Sequence, residues 1–64
     1  MRVRLEFTET AAEELGRAVA LLSPYILNVY RSGRGFMELE LSDDAKPALL
    51  EVSRMRGVTV VELG

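Results

Sequence analysis

Polar and apolar residues alternate without a break from Met1 to Phe7, with Val3, Leu5 and Phe7 on one side and Arg2, Arg4 and Glu6 on the other. A two-residue period of this kind predicts a strand with one buried and one wet face. The period then lengthens. Ala11, Leu15, Ala18, Val19 and Leu22 recur at the spacing of one helical face, and Thr10 with Glu13 fits a capping box ahead of them. Ser23-Pro24 predicts the helix end, because the residue before a proline disfavours the α region, and Gly16 weakens the helix slightly.

Two β-prone runs follow, Tyr25 to Arg31 and Phe36 to Leu41, joined by Ser32-Gly33-Arg34-Gly35. The two glycines suit the positive φ values of a hairpin turn, so the runs are expected to pair antiparallel. Met37, Leu39 and Leu41 fall on one side of the second run and Phe36, Glu38 and Glu40 on the other. Asp43 or Asp44 can cap a second helix, with Pro47 in its first turn and Leu49, Val52 and Met55 as its buried stripe. Gly57 suits a left-handed residue after it, and Val58 to Leu63 reads as the last strand.

Two interleaved strand–helix–strand units give an α+β fold, the ferredoxin-like βαββαβ sandwich, in which a four-stranded antiparallel sheet carries two helices on one face. Residues 1–64 form a single domain. The first and third strands become central neighbours, so a register placing Arg4 near Glu38 and Arg2 near Glu40 would pair opposite charges across the sheet as a solvated ladder. The open face also carries apolar residues. If Tyr25, Leu27 and Val29 point to the helices, then Ile26, Asn28 and Tyr30 stand outside beside Phe36, joined from the last strand by Val58 and Val60 or by Val61 and Leu63. An apolar patch there predicts a partner.

Size sharpens that expectation. A chain of 64 residues buries only about 60% of the surface its unfolded form exposes, and this one has no cysteine to staple it. Self-association is the remaining way to bury more, so a homodimer is expected. The net charge of −2 supplies no global basic field for nucleic acid, and no apolar run is long enough to span a membrane. No leader pattern precedes the first strand, and a cytoplasmic location is expected.

Catalytic constellations are missing from the pattern: there is no histidine, no nucleophile with a base at motif spacing, and no phosphate-cradling loop between a strand and a helix. A non-catalytic domain without a cofactor is the expectation. Tyr25, Ile26 and Asn28 are the candidate ligand-binding residues; Asn28 is the only asparagine and lies mid-strand, where that residue is disfavoured. Ile26, Tyr30 and Phe36 are the candidate dimer-interface residues. Arg34-Gly35-Phe36-Met37-Glu38-Leu39 resembles the first half of a third-strand RNA-recognition signature, but Glu38 stands where the second stacking aromatic belongs.

The segments Leu39-Glu40-Leu41-Ser42-Asp43-Asp44 and Arg56-Gly57-Val58-Thr59-Val60-Val61-Glu62-Leu63-Gly64, with the opening Val3-Arg4-Leu5-Glu6-Phe7-Thr8, resemble the NIL domain, the ferredoxin-like module that follows the ATPase of bacterial methionine importers. The Asn-Ile-Leu that names the family reads Tyr25-Ile26-Leu27 here, so only Ile26 and Leu27 carry over. The resemblance implies a homodimeric regulatory or adaptor domain that binds a small molecule, an amino acid among the candidates, or a partner protein. Of the broader ACT-type sensors the topology is shared, while their glycine after the first strand is absent from Thr8-Glu9-Thr10. The alternatives are a structural oligomerisation or protein-interaction module without ligand and, behind it, an RNA-binding domain.

Overall fold

The computed structural model describes residues 1–8 and 12–64. Strand β1 (Arg2–Phe7) leads to helix α1 (Ala12–Leu22), strands β2 (Ile26–Gly33) and β3 (Phe36–Leu41) form a hairpin, and helix α2 (Lys46–Ser53) precedes β4 (Val58–Glu62). The sheet order is β2-β3-β1-β4 with every neighbouring pair antiparallel, which is the ferredoxin-like sandwich. The capping box of Thr10 and Glu13, and the apolar position Ala11, fall wholly or partly outside the described residues.

The alternation of β1 and β3 sends Val3, Leu5, Leu39 and Leu41 under the helices, where each is at most 1% exposed. Ala18 and Leu22 of α1, Leu49 and Val52 of α2, Ala45 and Val58 close the core around them. Fully burying a side chain of this size stabilises by about 1.5–3 kcal/mol, so these few residues supply most of the hydrophobic stabilisation of a small domain. No described helix is long and apolar enough to cross a membrane.

Four local features differ from the sequence expectation. Pro24 has no backbone donor to continue α1, and the chain tightens into a 3-10 turn over Ser23–Tyr25, so Tyr25 precedes β2 instead of opening it. A second 3-10 turn over Asp43–Ala45 leads into α2, and neither Asp43 nor Asp44 caps the helix through its side chain. The hairpin turn is the two residues Arg34-Gly35, and only Gly35, at φ 83°, needs the left-handed region; Gly57, at φ 80°, uses the same freedom before β4. Gly33 leaves room for the Phe36 ring: a Cβ there would lie 2.5 Å from Cε1 of Phe36, so the ring would have to shift.

The fourth difference is the register of β2. Ile26 pairs with Leu41, Asn28 with Glu40, Val29 with Leu39 and Arg31 with Glu38, so the ladder shifts once between Ile26 and Asn28 and again between Val29 and Arg31. Each shift is a bulge that inserts one unpaired residue and breaks simple alternation. Ile26 therefore shares the helix side with buried Leu41 and packs against the core, contrary to its expected place on the open face.

Candidate functional site: the open sheet face and the β2 edge

The open face is built from register. Rows run Arg31, Glu38, Arg4, Val61 and Asn28, Glu40, Arg2 across the strands, so the expected pairing of Arg4 with Glu38 and of Arg2 with Glu40 holds along the backbone. Side chains redistribute it. Arg4 donates to Glu38 Oε2 at 2.8 Å and to Glu6 Oε2 at 2.9 Å, while Arg2 leans diagonally to Glu38 Oε1 at 3.3 Å. Glu40 instead accepts from the α-amino group of Met1 at 2.9 Å and from the Tyr30 hydroxyl at 2.9 Å.

Aromatic rings complete the surface. The Arg2 guanidinium lies 4.3 Å above the Tyr30 ring, the Arg4 guanidinium 4.3 Å above Phe36, and Arg31 5.7 Å from the same ring. Such contacts contribute about 0.5–1 kcal/mol at exposed sites. Each ring is thus covered by a cation, and Arg2 and Arg4 are in turn shared with Glu38, while Val61 of the expected apolar patch stays exposed. Glu38, at its centre, is only 7% exposed, so the ladder is far less solvated than its sequence suggests. No described buried side-chain polar atom lacks a partner.

Ionisation follows from these contacts. Burial works to raise the pKa of Glu38, but hydrogen bonds from Arg4 and Arg2 outweigh it and hold the carboxyl below its usual range. Hydrogen bonds from the Met1 amino group and Tyr30 do the same for Glu40. The Glu40 hydrogen bond, with burial, holds the Tyr30 hydroxyl above its usual value. Glu38 and Glu40 are thus held as ion-paired carboxylates within the sheet face.

The second feature is the edge strand itself. Seven of the eight residues of β2 are exposed. Val29 shares the helix side with Leu39, yet Val29 is 47% exposed where Leu39 is 1% exposed, so the helical layer stops short of the edge. Leu27, at the first bulge, is 67% exposed. The stretch Ile26 to Tyr30 carries no charge or proline, so the two bulges, with Arg31 beyond them, are what limits backbone pairing along this edge.

The residues expected to form the site therefore divide. Tyr30, Phe36 and Asn28 stand on the open face, with Val61 of β4 beside Arg4. Tyr25 and Ile26 pack against the core on the other side, so Tyr25, Ile26 and Asn28 do not share one pocket. Sequence reasoning missed the exposure of Leu27 and Val29, which alternation had assigned to the interior. Among the described residues no group of three or more His, Cys, Asp or Glu is placed to hold a metal ion. No protein family, curated protein or solved structure matches this chain.

Proposed function

We propose that this chain is a non-catalytic interaction domain, a homodimer joined along β2, that serves as a regulatory or adaptor unit. The observation that carries the reading is Val29, in register with a fully packed core residue and still half exposed, beside the more exposed Leu27 on an uncharged stretch of edge strand. An antiparallel two-fold pairing about Asn28 sets Leu27 of one copy opposite Val29 of the other, and satisfies the edge backbone groups of both. The two bulges bend the strand and limit its regular stretch, which favours a closed pair over indefinite stacking. The other edge, β4, is shorter and ends at Glu62, so an open β2-to-β4 chain is less favoured.

This interface replaces the open face as the dimer surface because the rings of Tyr30 and Phe36 already have cations stacked on them. The same stacking argues against base-stacking nucleic-acid recognition. The resemblance to the NIL domain supports a dimeric regulatory role and makes methionine the first ligand to try. Thermal unfolding at several protein concentrations, with and without each amino acid in excess, tests the proposal. A melting temperature that rises with protein concentration is expected; one independent of it contradicts the dimer. An increase with one amino acid, as RT ln(1 + [L]/Kd) requires, would add a ligand to the interface.

A further inference from the structure

Away from the sheet, α1 and the turn that follows α2 border an open groove of about 670 Å³. Its apolar floor is Ala20, Leu21 and Met55, and Leu21 is 40% exposed there. Three arginines, Arg17, Arg54 and Arg56, line it with two carboxylates, Glu14 and Glu51. The cations are not equivalent. Arg17 is tied to Glu14 at 3.3 Å, whereas Arg54 and Arg56 enter no ion pair among the described residues.

Arg34 and Lys46 likewise enter no ion pair among the described residues, but neither lines this groove. Arg2 and Arg4 are consumed by the sheet network, and Arg31 is held against Phe36. In a chain of net charge −2, two uncommitted guanidiniums face one uncommitted carboxylate across an apolar strip. The small side chain of Ala20 leaves room for a helix to lie close against α1, with its far side along the turn that carries Arg54 and Arg56, as in a helix-in-groove contact. Guanidinium groups at such a rim match carboxylates bidentately.

We infer that this groove docks an acidic amphipathic helix of a partner protein, whose apolar stripe covers Leu21 and Met55 while its carboxylates pair with Arg54 and Arg56. The lining comes from α1, from Glu51 of α2 and from Arg54, Met55 and Arg56 in the turn that follows α2, so it shares no residue with the β2 edge.

The test is fluorescence anisotropy of the full chain with a labelled model peptide carrying leucines at helical i, i+3, i+4 and i+7 positions flanked by glutamates. Two comparators are the same peptide with glutamine for glutamate and a short single-stranded oligonucleotide. Saturable binding of the acidic peptide is expected, weakening as salt rises, and at least about fivefold weaker for the double variant Arg54→Glu, Arg56→Glu and for the glutamine peptide. Backbone amide shifts should change at Ala20, Leu21 and Met55. Equal binding by the double variant with unaltered circular dichroism, no saturable binding of the acidic peptide, changes confined to β2, or tighter binding of the oligonucleotide would each overturn the inference. Should the double variant fail to fold, Leu21→Gln replaces it, with the same loss expected and unchanged affinity counting against the site.

Discussion

The centre of the sheet and its β2 edge are made from similar residues and behave oppositely. Along β1 and β3, strict alternation puts the aliphatic side chains under the helices and the charges, with the Phe36 ring, into one network on the other face. Along β2, two bulges interrupt the alternation, the helices do not reach Val29, and apolar side chains remain in water. The centre is satisfied within one chain. The edge is left with unpaired backbone groups and exposed apolar surface, and the proposed dimer rests on that difference.

The largest effect that would sharpen this contrast is expected from the core. Leu39→Ala, in the central strand, should destabilise the domain by about 2–5 kcal/mol and leave little cooperative unfolding in so small a chain, as read by chemical denaturation. Val29 faces the same side in register, and its substitution should do far less to the folded monomer.

Next in size is Glu38→Gln. The change keeps the shape but removes the charge on which Arg2 and Arg4 converge, and a fall of several degrees in Tm is expected. Its pH signature is separate. Carboxyls of the unfolded chain titrate near 4.5, and the native Glu38 and Glu40 titrate lower. Between those values the unfolded chain binds more protons, so stability rises with pH through the window, is fully present above about 4.5, and is lost as pH falls through the native values. Acid unfolding followed by circular dichroism should show a shallower loss in the glutamine variant than in the parent.

Gly33→Ala should cost about 1 kcal/mol in thermal or chemical unfolding, since the new methyl group displaces the Phe36 ring from beneath Arg4 and Arg31. An unchanged stability would mean that the ring turns aside freely, and that the cation–ring stack holds nothing in place.

The sequence made the centre legible because two rules suffice there. Alternation assigns Arg2, Arg4, Glu38 and Glu40 to one face, and the βαββαβ order makes their strands neighbours, so the register of Arg4 with Glu38 follows. The diversion of Arg2 to Glu38 was not legible, since it depends on the Met1 amino group and Tyr30 having occupied Glu40 first. At the edge, nothing in Ile26 to Arg31 marks which residues slip, because a bulge is defined only against the partner strand. The consequence was to exchange Ile26 with the exposed Leu27, and to hide Val29 in a core that the helices do not extend to cover. Gly33 likewise reads as a turn residue until the Phe36 ring is placed over it.

The smallest expected effect on the monomer carries the most weight. Val29→Lys alters a half-exposed side chain and should change monomer stability by no more than about 0.5 kcal/mol. It also sets two like charges at the proposed two-fold contact. Sedimentation equilibrium of the parent and of Val29→Lys across a wide concentration range decides the matter. The account predicts a dimer for the parent and a folded monomer for the variant; the same mass for both, at every concentration, would contradict it.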